Sequence, residues 1–274
     1  METKKIIKAA CITAAVFFTL SFMHVCAAGE TAQAEYTDEV SQTEEETEEQ
    51  EQQAGDYPAL PFDLWDIMKE NEDVTGAIFI PALQTAYPVV WKEYENDWYM
   101  EHDIGGNRSS RGCIMIDGWN TPDLTDCMTL VHGHNMADGS MFGALKRFLD
   151  DETLAQLQPY IYYYLPGRNG KIRTYRYQVC SYYVTDIYDK TYYQPEIYLL
   201  YHGDAWNDLS KETREVLDTF RDDWYDGFAY DMRIRAVHAL PIPDLSERPH
   251  LLILSTCHGE VHGDTRLVVA CARV

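Results

Sequence analysis

Cys257 closes the apolar run Leu251-Leu-Ile-Leu-Ser-Thr-Cys257, and nine residues later Arg266 opens a second run, Arg266-Leu-Val-Val-Ala-Cys-Ala-Arg-Val274. Two β-branched apolar runs joined by a short link containing Gly, His and acidic residues read as neighbouring strands, expected to be antiparallel. Paired strands run about 4.7–4.9 Å apart, so the pair can hold a sulfur beside a guanidinium at one rim of a sheet. Upstream, Thr129-Leu-Val-His-Gly-His-Asn-Met-Ala-Asp-Gly-Ser-Met-Phe142 is a strand-like run that ends in a pair of histidines, His132 and His134, and then a polar turn. A thiol is a nucleophile only as the thiolate. A neighbouring imidazole can take its proton and a cationic guanidinium favours the anion. Thiol, imidazole and guanidinium together are the parts of an acyl-transfer site.

These residues also carry a resemblance. Leu254-Ser-Thr-Cys257 ahead of a terminal strand that begins with Arg, with Val131-His-Gly-His-Asn-Met-Ala-Asp-Gly-Ser-Met-Phe-Gly-Ala-Leu145 upstream, resembles the sortases. These are cysteine transpeptidases that attach proteins to Gram-positive cell walls or polymerise pilins. Asn71-Glu-Asp-Val-Thr-Gly76, Ile80-Pro81, Tyr87-Pro-Val-Val90, Tyr99-Met-Glu-His-Asp103 and Ser110-Arg-Gly-Cys-Ile-Met-Ile-Asp117 are similar to the class B branch. The match runs from Phe62 to Val274. It implies a mainly β chain: a closed barrel with an N-terminal helical segment and a helix in the connection before the cysteine-bearing strand. It assigns catalysis to His134, Cys257 and Arg266, and substrate binding to Ser255, Thr256 and Asn135, with no metal and no cofactor. His132 stands where the family usually has an apolar residue or tyrosine. Ala77, Ala82-Leu83 and Trp119-Asn120 depart from the usual pattern, and the Cys-to-Arg link is short.

Several elements must position these groups. The spacing of Phe62, Leu64, Trp65, Ile67 and Met68 predicts an amphipathic helix over 62–71. Strands are expected at 76–80, 87–91, 113–116 and 128–132, and a short helix at 141–149. Pro166-Gly-Arg-Asn-Gly170 between 160–165 and 172–186 reads as a hairpin turn. Leu209, Val216, Leu217, Phe220 and Trp224 predict a helix over 209–224, and strands at 232–240, 251–255 and 267–272 complete the chain. Many short strands with Pro and Gly between them point to a closed barrel. Tyr192 and Tyr193, like the tyrosines at 162–164 and 182–183, could line a peptide groove, although aromatics are ordinary strand formers.

The first 56 residues set the expected location. Lys4, Lys5 and Lys8 precede an apolar run from Ala9 to Ala28, which reads as a signal peptide or an uncleaved signal anchor over 1–29. Lysines on the N-terminal side would keep that end cytoplasmic and export the rest, so the expected location is a single-pass membrane protein with an extracellular catalytic domain, or a secreted form after cleavage. From Glu30 to Asp56 there are eleven acidic residues and no Lys or Arg, the composition of a solvated, disordered stalk. The catalytic domain is expected over 57–274. The chain carries a formal net charge of −23, which argues against nucleic acid as a ligand. Seven cysteines scattered over a domain of this size are not a disulfide framework.

The resemblance implies partners: surface proteins or pilins carrying a sorting signal, and a cell-wall precursor or pilin amine as acceptor. Two other readings use the same residues. The dyad could deliver the acyl group to water, making a cysteine peptidase. His132-x-His134 and Cys257-His258-Gly-Glu-Val-His262 also contain zinc-ligand types, which would make a metal-binding or non-enzymatic surface module. However, Gly259 and Gly263 disfavour the helix that aligns two imidazoles in the H-E-x-x-H pattern.

Overall fold

The computed structural model describes residues 57–167, 170–189, 192, 209–259 and 263–274. The expected anchor and acidic stalk, residues 1–56, lie outside the described residues. Among the described residues no helix is long and apolar enough to cross a membrane.

Leu60–Val274 is one compact unit built on eight strands: β1 Val74–Ile80, β2 Thr85–Val90, β3 Ile114–Ile116, β4 Met128–His132, β5 Tyr160–Pro166, β6 Ile172–Asp186, β7 Leu251–His258 and β8 Thr265–Arg273. They close into a barrel in the order β1-β2-β3-β4-β7-β8-β6-β5. The chain-distant neighbours β4 and β7 are parallel, from Met128 opposite Leu251 to His132 opposite Ser255. The last two strands are antiparallel, as their sequences predict, with Leu251 opposite Ala272 and Cys257 opposite Arg266. Helix α1, Leu64–Glu70, precedes the barrel and is capped by Asp63, whose side chain accepts from the backbone N–H of Trp65 and Asp66.

A second helix explains why β7 and β8 read as unbroken apolar runs. Inside the barrel, Leu252 and Leu254 meet Leu267, Val269 and Cys271. On the outer face, Leu251, Ile253, Val268 and Ala270 pack with Met128 and Leu130 against Tyr225, Phe228, Ala229 and Met232. Those four belong to the long helix between β6 and β7, Lys211–Arg235. Strands covered on both faces have no polar side to alternate with. The helix is capped by Ser210, whose hydroxyl accepts from Thr213 N–H, and Arg233 and Arg235 stand in its last turn, where cations suit the dipole. Each large side chain buried in this seam contributes on the order of 1.5–3 kcal/mol.

The long helix also corrects one expectation. The stretch 232–240 alternates in a strand-like way, yet Met232 to Arg235 continue the helix and no strand follows before β7. Tyr225, Phe228, Ala229 and Met232 recur at three- and four-residue spacing and are all buried, so the helical face wins over the local alternation. The short helix expected at 141–149 is a 3-10 turn, Phe142–Lys146, followed by the α-helical turn Arg147–Asp150.

Candidate active site

The site forms where β4, β7 and β8 run out beyond the covered seam. Along β7 the pattern is six buried residues and then two half-buried ones, Cys257 and His258. The alternation that sends Leu251 and Ile253 outward puts Ser255 and Cys257 on the same outer face. Arg266, directly opposite Cys257 in the ladder, shares it. The shorter link between them therefore still delivers the guanidinium beside the thiol. Arg266 Nη1 donates to the carbonyls of Gly263 (3.0 Å) and Thr265 (2.9 Å), and among the described residues Nη2 and Nε have no acceptor.

The strand carrying His134 is locked to the one carrying Cys257. The Gly133 N–H donates to Ser255 O at 3.3 Å, and the buried Thr256 hydroxyl donates to Gly133 O at 2.7 Å. Gly133 has no space for a side chain: a Cβ there would sit 2.4 Å from Ile114 Cδ1 and 2.8 Å from the Phe142 ring. The parallel ladder ends with His132 opposite Ser255, and the Gly133–Ser255 bond carries the contact one residue further, to the residue before His134. The loop then turns back on itself. Phe142 N–H donates to His134 O at 3.0 Å, Asn135 bridges to Met141, and Gly143 approaches Met136 so closely that a Cβ would lie 2.3 Å from its carbonyl oxygen. Arg111 braces the outside of the loop through Asp138 Oδ2 (2.8 Å) and Ser140 Oγ (3.0 Å). Ser140's bonds and then the Arg111 charge hold the Asp138 carboxyl below its ordinary pKa.

His134 Nε2 lies 2.7 Å from Met100 O. A carbonyl only accepts, so Nε2 carries the hydrogen and Nδ1 is the nitrogen left to take or give a proton. The neighbouring His132 is engaged differently, with Nε2 at 2.8 Å from Oδ2 of the fully buried Asp117. Tyr192 packs in the outer-face cluster and meets Ser255. Burial raises its pKa, partly offset by a hydrogen bond with Ser255 and by the charge of Arg266.

Among the cysteines the surroundings separate one from the rest. Burial pushes the Cys113, Cys127 and Cys180 thiols up to about 12 and Cys271 well above its ordinary value. All four are locked in the protonated, unreactive form at neutral pH. Cys257 is half-buried at the strand end.

The structure brings His134, Cys257 and Arg266 to one rim, with Ser255 two residues back on the same face. Thr256 points the other way, with its hydroxyl spent on Gly133, and Asn135 lies in the turn. Sequence reasoning missed the Met100 carbonyl, the Arg111 brace and the Asp117–His132 pair. The first two are backbone or loop contacts without a sequence signal. The third was visible as an acid and an imidazole at the ends of two predicted strands, but nothing local says that those strands are neighbours. Among the described residues no cluster of His, Cys, Asp and Glu has the arrangement of a metal site.

Known proteins share this fold. The model of the sortase domain family matches residues 78–274, and the chain belongs to that family. Sortase B of Listeria monocytogenes is 36% identical over 92 residues, which are 34% of this chain and 37% of that protein. Sortase B of Staphylococcus aureus is 22% identical over 206 residues, 75% of this chain and 72% of that protein. Among solved structures, Clostridium perfringens sortase B superposes with a TM-score of 0.59 at 20% identity, over 77% of this chain and all of that one. A Streptococcus pyogenes class B sortase involved in pilus biogenesis gives 0.58 at 19% identity, over 77% and 98%.

Proposed function

We propose that this member of the sortase family is a cysteine transpeptidase that cleaves a sorting motif after a threonine and passes the acyl group to an amine. The observation that carries the reading is the ladder position of Cys257 opposite Arg266, on the strand that Thr256 pins to the His134 loop. In the first half-reaction the Cys257 thiolate attacks the threonine carbonyl carbon. The C–N bond then breaks, and the departing amine takes a proton from His134 Nδ1. The resulting thioester waits for an incoming amine, whose nitrogen attacks the same carbon while its proton returns to His134 and the sulfur leaves as thiolate. Nη2 and Nε of Arg266 are the donors for the oxygen on which negative charge develops. Ser255 and Asn135 hold the peptide in this reading. Thr256 contributes by fixing the two strands.

The acyl donor in this reading is a surface protein or pilin with a C-terminal sorting signal, and the acceptor is a cell-wall precursor or pilin amine. Residues 1–29 tether the enzyme to the membrane with the barrel outside the cell. Incubating the chain with sorting peptides of the NPxTx and LPxTG types, with and without an added amine, tests the proposal by mass spectrometry. An acyl-enzyme on Cys257 and an amine-dependent product are expected. Cys257→Ala should abolish capture, and Cys271→Ala should retain it. Capture persisting in Cys257→Ala would refute the assignment, and a product unaffected by amine would make the protein a peptidase.

A further inference from the structure

The acceptor that His134 leans on is itself held from two sides. Met100 lies in the one-turn helix Trp98–Glu101 between β2 and β3, and its carbonyl oxygen stands 2.7 Å from His134 Nε2. A carbonyl only accepts, so this contact needs a hydrogen on Nε2 whether the ring is neutral or cationic. Where that oxygen sits therefore decides which imidazole nitrogen is left for chemistry.

One support is a phenol. Tyr99 is 2% exposed, and its hydroxyl donates to Asp73 Oδ2 at 2.8 Å while accepting from Asn71 Nδ2 at 2.8 Å. The Asn71 amide also donates to Ile104 O at 2.8 Å, and its Oδ1 accepts from the Asp73 N–H at 2.9 Å. The turn bearing Met100 is thereby tied to the segment between α1 and β1. Burial raises the Tyr99 pKa to about 12, so the hydroxyl keeps the hydrogen that it gives to Asp73.

The other support is a missing side chain. Gly112 has a φ of +55°, and a Cβ there would lie 2.5 Å from Tyr99 O and 2.8 Å from Met100 O. Around it, Tyr99 O accepts from the Cys113 N–H at 2.8 Å and Glu101 O from the Ser109 N–H at 2.8 Å. The turn leading into β3 thus closes directly on the peptide units that carry these carbonyls. Glycine is the residue that fits both the close approach and the left-handed backbone.

We propose that Tyr99 and Gly112 are positioning residues of the acyl-transfer site, which hold the Met100 carbonyl against His134 Nε2 and so reserve Nδ1 for proton exchange. Both act through the Met100 oxygen. When that oxygen shifts, the ring loses the bond that sets its rotation, and a displacement of about 1 Å can cost on the order of 10²-fold in rate. The inference rests on the acyl-transfer reading of Cys257.

The test compares the wild-type chain with Tyr99→Phe, which removes the hydroxyl and keeps the ring, and with Gly112→Ala, which sets a methyl group against both carbonyls. Folding is checked by thermal melting. The first readout is kcat and KM with a sorting peptide that forms the acyl-enzyme on Cys257. The second is the His134 Nε2–H signal in proton–nitrogen correlation spectra of histidine-labelled protein, assigned by its loss in His134→Ala. In the wild type this hydrogen should be protected from exchange with water. Tyr99→Phe should lower kcat about tenfold with KM within about threefold, the pattern of an interaction realised in the transition state, and should broaden the Nε2–H signal. Gly112→Ala should act in the same direction and more strongly, and where it fails to fold Tyr99→Phe decides alone. A folded Tyr99→Phe with wild-type kcat, or one that loses rate while the Nε2–H signal stays as protected as in the wild type, would overturn the inference and leave the acyl-transfer reading intact. A wild-type chain that forms no acyl-enzyme with any peptide would overturn both.

Discussion

The parallel pair β4 and β7 has an imidazole at each end, and the two ends treat it in opposite ways. His250, just before β7, is sealed. Its Nε2 meets Thr129 Oγ1 at 3.0 Å and its Nδ1 meets Tyr177 OH at 3.0 Å, and burial followed by the Arg273 charge pushes its pKa well below the ordinary value. His134, just after β4, has one nitrogen on the Met100 carbonyl and the other without a partner among the described residues. With both nitrogens satisfied the ring is part of the core. With one nitrogen tied and one left over it has the freedom that a general acid or base needs. The difference comes from surroundings: His250 is held by Thr129 and by Tyr177, a residue of the barrel interior, whereas His134 lies past the last paired residue of β4.

The comparison breaks most sharply under a crossed pair of substitutions. His134→Ala should lower kcat for peptide cleavage by roughly 10²–10⁴, the usual share of a general acid–base group, with little change in melting temperature. His250→Ala should do the reverse. It opens a space in the core and strands the Thr129 and Tyr177 hydroxyls, costing on the order of 2–4 kcal/mol, while the folded fraction keeps cleaving. Denaturant titration and single-turnover cleavage on both variants decide it. A folded His134→Ala with normal turnover would show that the open end is not catalytic.

Arg266→Lys sharpens the same contrast on the open side. Lysine keeps the charge next to the thiol but offers a flexible point donor in place of a planar fork. Loss of a directed oxyanion donor predicts a drop of about 10²–10³ in rate, read as single-turnover acylation. If Lys substitutes fully, the role of Arg266 is electrostatic alone.

The sealed end has its own signature in pH. The folded-state pKa of His250 is depressed, so below the unfolded value near 6.5 the unfolded chain binds a proton that the native chain refuses. Stability is therefore fully present above about pH 6.5 and falls as pH drops, by at most about 1.4 kcal/mol per pH unit for this group. Denaturation midpoints of the wild type and His250→Asn between pH 5 and 8 should converge toward acid. Parallel curves would mean that His250 is not held neutral.

What was readable in the sequence follows the same division. Leu251-Leu-Ile-Leu254 and Leu267-Val-Val-Ala270 announce strands because both faces are covered, and Cys257 and Arg266 stand out because apolar runs stop there. The register that makes the two meet was legible from the short link. The β4–β7 pairing was not, because it joins residues more than a hundred positions apart and depends on Gly133 fitting against Ile114 and Phe142. The strand expected at 232–240 was misread because alternation in Met232-Arg-Ile-Arg235 imitates period two, whereas the burial of Tyr225, Phe228 and Ala229 that continues the helix is a tertiary fact. Asp117 and His132 were each visible, and their contact was not.

The long helix over the outer face of these strands carries a weak point that offers the smallest test. Gly227 lies inside Lys211–Arg235, one residue from the buried Phe228, and a Cβ added there would have nothing within 4 Å. Its backbone is helical, so alanine meets no strain. Glycine in a helix interior costs about 0.5–1 kcal/mol relative to alanine through the freedom its backbone loses on folding. Gly227→Ala should therefore stabilise the chain by that amount in denaturant titration. Because the helix packs on the outer face of these strands in a cluster that does not include Cys257, the acylation rate of Cys257 should stay within about twofold. A gain in stability accompanied by a loss of acylation would show that bending of this helix at Gly227 reaches the open end, and that the two ends are mechanically coupled.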